Sequence, residues 1–365
     1  MAKKNMGKVK RYRRSFYSGR QKVLRAVAVV VAILALFGLG WLVGPALINF
    51  GTSTWYNLTS GAKEPEQGTS VPGADSQPAD SQPGAGEGQP TPEPTATPQP
   101  QEDLTQGSWA FLSAEQVSEQ QLASTVQSLV EQQVKYAVIP LKDNQGNVLY
   151  QSQVATAVPS VVAGAFDGAA VADALRQQGI VPVASLSVFR DAAAAYVDRT
   201  MAVKYQNTEA LWLDAARESG GKPWLNPYAD TAVQYISDLI GEAKQMGFEQ
   251  FWLSEVRFPP VGGRNQAGYG ATNGVTESQR LATAIDTWQK LADCWIAYPL
   301  QIASGANETL TGGPVSALGI QRLAVIAPET LTEEETAQLK TAKAAAGEYL
   351  GVQNGTSFTV QAAGN

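Results

Sequence analysis

The sequence predicts an α/β fold, a (β/α)8-like TIM barrel with irregular units, preceded by a single transmembrane helix and a disordered linker. Three observations predict it. Short β-rich apolar runs alternate with helical patterns from Gly107 onward, which implies a parallel sheet. Charged and polar residues recur where those runs end. No glycine-rich phosphate loop follows the first run, which favours a barrel over a doubly wound sheet.

Residues 1–25 carry Lys3, Lys4, Lys8, Lys10, Arg11, Arg13, Arg14, Arg20, Lys22 and Arg25 with no acid among them. Residues 26–50 then hold no charge, which exceeds the roughly 20 apolar residues a helix needs to span a bilayer. A secretory signal has an apolar region of only about 7–15 residues, so an uncleaved anchor is expected. The basic flank assigns the N-terminus to the cytoplasm and the remainder to the outside. That remainder has 17 Lys and Arg against 33 Asp and Glu, an excess of 16 acids. Nucleic acid is therefore excluded as its partner, because phosphate binding needs clustered basic residues.

Residues 51–106 are rich in Pro, Gly, Ser and Gln, as in Thr91-Pro-Glu-Pro-Thr-Ala-Thr-Pro-Gln-Pro100. Such a stretch cannot bury enough apolar surface to offset its ordering entropy and reads as a spacer. Residues 107–365 are long enough for one large α/β domain. Cys294 is the sole cysteine and histidine is absent. That excludes an intrachain disulfide, Ser-His-Asp or Cys-His catalysis and the commonest zinc sites. No cofactor or metal is expected. Any chemistry must use carboxylates, hydroxyls, Lys or Arg.

Within the domain, Ser108–Leu112 reads as a first strand and Tyr136–Leu141 as a second, with a helix carrying Leu122, Val126, Leu129 and Val130 between them. A helix over Val171–Gln178 ends at Gly179, and Ile180–Phe189 is a third strand. Trp224-Leu-Asn-Pro-Tyr228 forms a turn that starts a helix with Val233, Ile236, Leu239, Ile240 and Ala243 on one face. Gly247 closes that helix. Phe248–Val256 is the next strand, and Arg257-Phe-Pro-Pro260 stops it, since proline cannot continue a ladder. A helix over Glu277–Cys294, strands at Trp295–Ile302 and Leu323–Pro328, a helix over Glu333–Leu350 and a closing strand at Phe358–Gln361 complete the pattern.

The strand ends supply the candidate site. They carry Lys142 and Asp143, Arg190 and Asp191, then Ser254, Glu255 and Arg257, and a barrel would gather them on one face. Two carboxylates suffice for glycoside hydrolysis without histidine or metal. Asp143 and Glu255 are the candidate catalytic pair. Arg257, Tyr228, Asn226, Trp224, Ser254, Arg190 and Asp191 are candidate substrate-binding residues. Trp212, Trp224 and Tyr228 lie in loops where aromatic rings serve sugars as platforms. Each group also has a structural reading. Asp143 suits a turn, Arg190–Asp191 a helix cap, and Glu255–Arg257 a mutual ion pair.

These motifs resemble the bacterial putative glycosyl hydrolase domain family. Its Lys-Asp-Asp-x-Gly-like turn corresponds to Lys142-Asp-Asn-Gln-Gly146, and its Trp-x-Asn-Pro-Tyr turn to Trp224-Leu-Asn-Pro-Tyr228. Its Gly-Phe-Asp-Glu-Ile-Gln-Phe-Asp-Tyr-Val-Arg-Phe-Pro strand corresponds to Gly247–Pro259, and Ser185–Asp191 matches a further strand end in part. The resemblance spans roughly Ser108 to Pro328. It implies a glycosidase-like barrel acting on or binding cell-envelope or external carbohydrate. The family's strand aspartate falls on Ser254 here, and strand alternation turns Glu255 to the other face unless a bulge intervenes. A barrel that binds glycan without cleaving it, or serves as an envelope scaffold, is the competing expectation.

Overall fold

A computed structural model describes residues 103–260 and 262–364. The expected cytoplasmic tail, membrane span and nearly all of the linker lie outside them. Among the described residues no helix is long and apolar enough to cross a membrane.

The described residues contain twelve strands: β1 Trp109–Phe111, β2 Tyr136–Lys142, β3 Val148–Tyr150, β4 Val161–Phe166, β5 Val181–Ser187, β6 Lys204–Tyr205, β7 Gln250–Ser254, β8 Ala267–Gly268, β9 Asp293–Pro299, β10 Arg322–Ala327, β11 Tyr349–Asn354 and β12 Ser357–Ala362. The helices are α1 Leu122–Glu131, α2 Gly168–Arg176, α3 Ala192–Val197, α4 Asp230–Gln245, α5 Glu277–Leu291, α6 Leu300–Ala303 and α7 Glu333–Ala345. Ten strands form one sheet in the order β12-β11-β10-β9-β7-β5-β2-β3-β4, with β1 also on β2. Pairing is parallel from β1 through β2, β5, β7, β9 and β10 to β11.

The fold is thus a mixed α/β fold around a large, mainly parallel sheet. Backbone closure of the expected barrel is not seen among the described residues. Among the described residues β1 pairs only with β2, and β12 pairs antiparallel with β11. The two ends meet through side chains instead, with Trp109 and Phe358 ring centroids 5.0 Å apart at nearly perpendicular planes. One face of the sheet buries Trp109, Tyr136, Trp252, Trp295 and Phe358 together. Edge-to-face packing of this kind favours the ring quadrupoles and adds to the area buried. The other face packs against helices, where Ile236, Leu239 and Ile240 of α4 and Leu281, Ile285 and Trp288 of α5 are fully buried.

Several boundaries shift from expectation for local reasons. The turn Leu104–Gln106 precedes the expected domain start at 107, and its Leu104 is buried among the aromatic rings. Asp167 caps α2 through the amides of Ala169 and Ala170, so that helix begins before Val171. Pro299 ends β9, and α6 occupies residues assigned above to strand. The α7 helix stops at Ala345, which frees Tyr349–Asn354 to form β11. The β3–β4 arm was not foreseen. It is tied to α4 by Glu242, which accepts from Tyr150 Oη at 2.5 Å, Ser152 Oγ at 2.7 Å and the Gln153 amide at 2.5 Å.

Candidate functional site

The carboxyl ends of β5, β7 and β9 align Ser187, Ser254 and Ala297 side by side, and Ser254 and Ala297 border an open cleft there. Beyond Ser254 the chain does not continue as a regular strand. Glu255 adopts the left-handed region with φ of 55°, a conformation that a side chain with a Cβ seldom takes. Val188 and Phe189 still donate their amides to the carbonyls of Ser254 at 2.9 Å and Glu255 at 3.2 Å. The backbone pairing therefore runs on while the alternation of side chains is broken. Both Ser254 and Glu255 line a cleft of about 320 Å3, with Arg257, Tyr298, Gln301 and Asn307 among its other walls. The local conformation thus answers the alternation problem that the sequence posed.

Glu255 is held between two guanidinium groups. Its Oε2 lies 2.6 Å from Arg257 Nη2, and its Oε1 lies 3.7 Å from Arg190 Nη1. The Glu255 side chain is 19 % exposed, Arg257 16 % and Arg190 37 %. Arg257 in turn lies over the Trp224 ring at 4.8 Å and donates to the Phe258 carbonyl at 3.2 Å. Burial lowers the pKa of Arg257, and the adjacent Glu255 carboxylate opposes that shift. An arginine remains cationic through such a change. Tyr298, fully enclosed beneath the cleft, donates its hydroxyl to the Val256 carbonyl at 2.5 Å and fixes the backbone on the far side of Glu255.

The remaining predicted residues are elsewhere or otherwise engaged. Asp143 does not line this cleft. Its Oδ1 accepts the amides of Gln145 at 2.8 Å and Asn147 at 2.9 Å, and its Oδ2 accepts Asn147 Nδ2 at 2.8 Å. It closes its own turn. Asp191 pairs with Lys142 Nζ at 2.7 Å, both side chains at 0 % exposure, and its Oδ1 caps α3 through the Ala194 amide at 2.8 Å. Trp224 is buried at 1 % exposure, with its Nε1 donating to Asp214 at 2.9 Å, and Trp212 is equally enclosed. Neither ring is an exposed platform. Asn226 accepts from the Tyr228 amide at 3.0 Å and donates to the Tyr269 carbonyl at 3.1 Å. Tyr228 donates its hydroxyl to the Val275 carbonyl at 2.9 Å. This turn braces the loop over α5.

Sequence reasoning missed Tyr298, Gln301 and Asn307. The Tyr298-Pro299 step was the available signal, since a proline there ends a strand and opens the next residues to the sheet's carboxyl side. Among the described residues, no three Asp, Glu or Cys side chains come together as a metal site.

These features define an α/β domain with a cleft at the carboxyl ends of its parallel strands. The chain belongs to the family described as "Putative glycosyl hydrolase domain", whose model matches residues 110–298. No curated protein matches it. Among solved structures it is similar to a hypothetical protein from Ruminiclostridium thermocellum ATCC 27405, with 20 % identity, a TM-score of 0.45, and coverage of 51 % of this chain and 96 % of that one. It is also similar to a β-N-acetylhexosaminidase from Streptomyces coelicolor A3(2), with 12 % identity, a TM-score of 0.42, and coverage of 69 % and 48 %. An exo-β-N-acetylglucosaminidase from Vibrio harveyi in complex with N-acetylglucosamine gives 11 % identity, a TM-score of 0.45, and coverage of 68 % and 42 %. The chain thus spans less than half the length of these two glycosidases.

Proposed function

We propose that this protein is a membrane-anchored, extracytoplasmic glycoside-hydrolase-like protein that binds cell-envelope or external carbohydrate without hydrolysing it. One observation carries the reading: Glu255 is the only carboxylate among the residues lining the cleft, and it is tied to Arg257 and Arg190. In most glycoside hydrolases two carboxyl groups flank the bond, one of them able to give a proton. Asp143, the expected partner, has both oxygens engaged by its own turn. Ser254 stands where the resemblance places the family's aspartate, and a hydroxyl without a base cannot act as general acid. Arg257, Arg190 and Ser254 are the ligand-binding residues in this reading. Trp224 backs Arg257, while Asn226 and Tyr228 hold the loop before α5 and Asp191 pairs with Lys142 and caps α3.

The anchor rests on the uncharged residues 26–50 and the basic residues before them, and residues 51–106 would space the domain from the bilayer. The sheet is read as an irregular eight-stranded barrel, with β12 as its antiparallel eighth strand and side chains bridging β12 to β1. Membership of a glycosyl hydrolase family favours the rival reading, hydrolysis by Asp143 and Glu255.

The test uses the full-length chain in mild detergent, with neutral and acidic glycans, peptidoglycan fragments included. Expected is saturable binding with no new reducing ends. Reducing-end release that Glu255→Gln abolishes would restore the hydrolase reading. Protease digestion of intact cells checks the address, and a C-terminal domain that stays protected would overturn it.

A further inference from the structure

We infer that the ligand of this cleft is an acidic saccharide, whose carboxylate is received by Arg190 beside Glu255; the inference rests on the binding reading above. The reason lies in how the three charges divide. Glu255 and Arg257 approach to 2.6 Å and neutralise each other, and Arg257 is further committed to the Trp224 face and the Phe258 carbonyl. Arg190 is not itself among the lining residues and adjoins the cleft through Glu255. Its single ionic contact is Glu255 Oε1 at 3.7 Å, beyond hydrogen-bond distance, and it is the most exposed of the three. Two cations against one anion leave a net single positive charge beside the cleft, next to Glu255, on a guanidinium whose planar fork suits a carboxylate in two parallel hydrogen bonds.

The conformation of Glu255 points the same way. A non-glycine residue in the left-handed region is strained and persists where the surroundings over-determine it. Here the strained residue turns its carboxylate to hold Arg257 against Trp224. Arg190 is thereby left as the unspent donor. The other polar groups lining the cleft, Ser254, Gln301 and Asn307, are neutral and suit sugar hydroxyls. No second carboxylate among the lining residues repels an acidic sugar. The remainder of the chain after residue 50 is acidic in excess, so this local positive charge runs against the general field.

The test is an array of galacturonan, hyaluronan and alginate oligosaccharides printed beside the same oligosaccharides after carboxyl reduction, probed with the full-length chain in detergent. The expected result is at least one acidic oligosaccharide bound about 10-fold or more tighter than its reduced form, as a charged hydrogen bond implies. Arg190→Gln should remove that preference and Arg190→Lys should keep part of it. Glu255→Gln should raise acidic-sugar affinity, because it removes a like charge, whereas a purely structural role for Glu255 predicts no gain. Equal binding of acidic and reduced forms would overturn the acidic-ligand inference and leave carbohydrate binding standing. Binding of neither on the array, together with none to the neutral glycans and peptidoglycan fragments above, would overturn both.

Discussion

Arg190 and Asp191 are neighbours in sequence, yet they belong to two charged groups of opposite character. Asp191 turns under the loops to meet Lys142, and neither side chain is exposed. Arg190 turns to the mouth of the sheet, where it joins Glu255 and Arg257 in contact with solvent. The register explains the first group. Pairing between β2 and β5 shifts after Pro140, so Lys142 falls opposite Leu186 on the helix-covered face. There it lies 5.7 Å from the Tyr235 ring of α4 and meets the residue that caps α3. Gly146, at φ of 88°, lets the turn approach Asp191 where any Cβ would collide with its carboxylate. The second group depends on one left-handed residue at the end of β7. Charge at a strand end is therefore a poor guide to function until its face is known. The closed pair fixes the fold, and the open cluster is available to a ligand.

The sharpest way to separate them is Lys142→Met. It strands the Asp191 carboxylate in a dry site, and removing one partner of a buried ion pair costs about 3–5 kcal/mol. Urea denaturation of the full-length chain reads the loss. Lys142→Met with Asp191→Asn should recover more than half of it, since an amide oxygen can still cap α3 and no charge is left buried. A single variant that loses less than about 1 kcal/mol would mean the pair is hydrated and the contrast between the two regions is false. Glycan binding should survive in the double variant.

Trp224→Ala is expected to be nearly as damaging, about 3 kcal/mol or more for a buried tryptophan, although its ring lies beside the open cluster. Lost binding in that variant would therefore say little about sugar stacking. Arg190→Gln is the proper contrast, a half-exposed change expected to stay within about 0.5 kcal/mol of the parent in stability. Were Trp224→Ala to leave stability intact and abolish binding, the ring would have to be read as a ligand platform after all.

High pH gives a third, smaller comparison, because the closed interior holds neutral groups that the unfolded chain ionises. Burial pushes the Cys294 thiol up to about 12 from its ordinary 9.0. Burial also raises the Tyr235 and Tyr298 phenols. A raised folded-state pKa means stability is fully present below the unfolded value and is lost as pH climbs towards the folded one. Urea midpoints should fall progressively between about pH 9 and 12. The fall should be shallower in Cys294→Ala, and a midpoint independent of pH in that window would contradict the burial of these groups.

Much of this architecture was legible in the sequence, and the failures share a cause. The helix carrying Ile236, Leu239 and Ile240 was readable because its period is local, and β2, β5 and β7 because they are apolar runs bounded by turns. The arm β3–β4 was not, since Val148–Tyr150 is short and its stability comes from Glu242, more than ninety positions away for Tyr150. The antiparallel β12 was foreseen as a strand but not in its direction, which the turn at Gly355 decides. At the site, Glu255 was read as catalytic and Arg257 as substrate-binding, with a mutual ion pair as the structural alternative that their spacing allowed. Whether Glu255 could share a face with Ser254 depended on a backbone conformation that no residue type at that position announces.

Asp143→Asn carries the smallest expected effect and discriminates most between binding and catalysis. In its turn Asp143 acts as an acceptor of three hydrogen bonds. Asparagine keeps one oxygen for the two amides, and a flipped Asn147 side chain can present its own oxygen to the new amide group. The cost should be about 0.5–1 kcal/mol, the net worth of a single hydrogen bond. Glycan affinity should be unchanged, because Asp143 does not line the cleft and its side-chain partners lie in its own turn rather than at Glu255. A catalytic Asp143 predicts the reverse pattern: stability again nearly unchanged, but reducing-end release present in the parent and gone in the variant. The two readings thus differ in one activity measurement on a protein that is equally folded in both cases, so instability cannot stand in for lost chemistry.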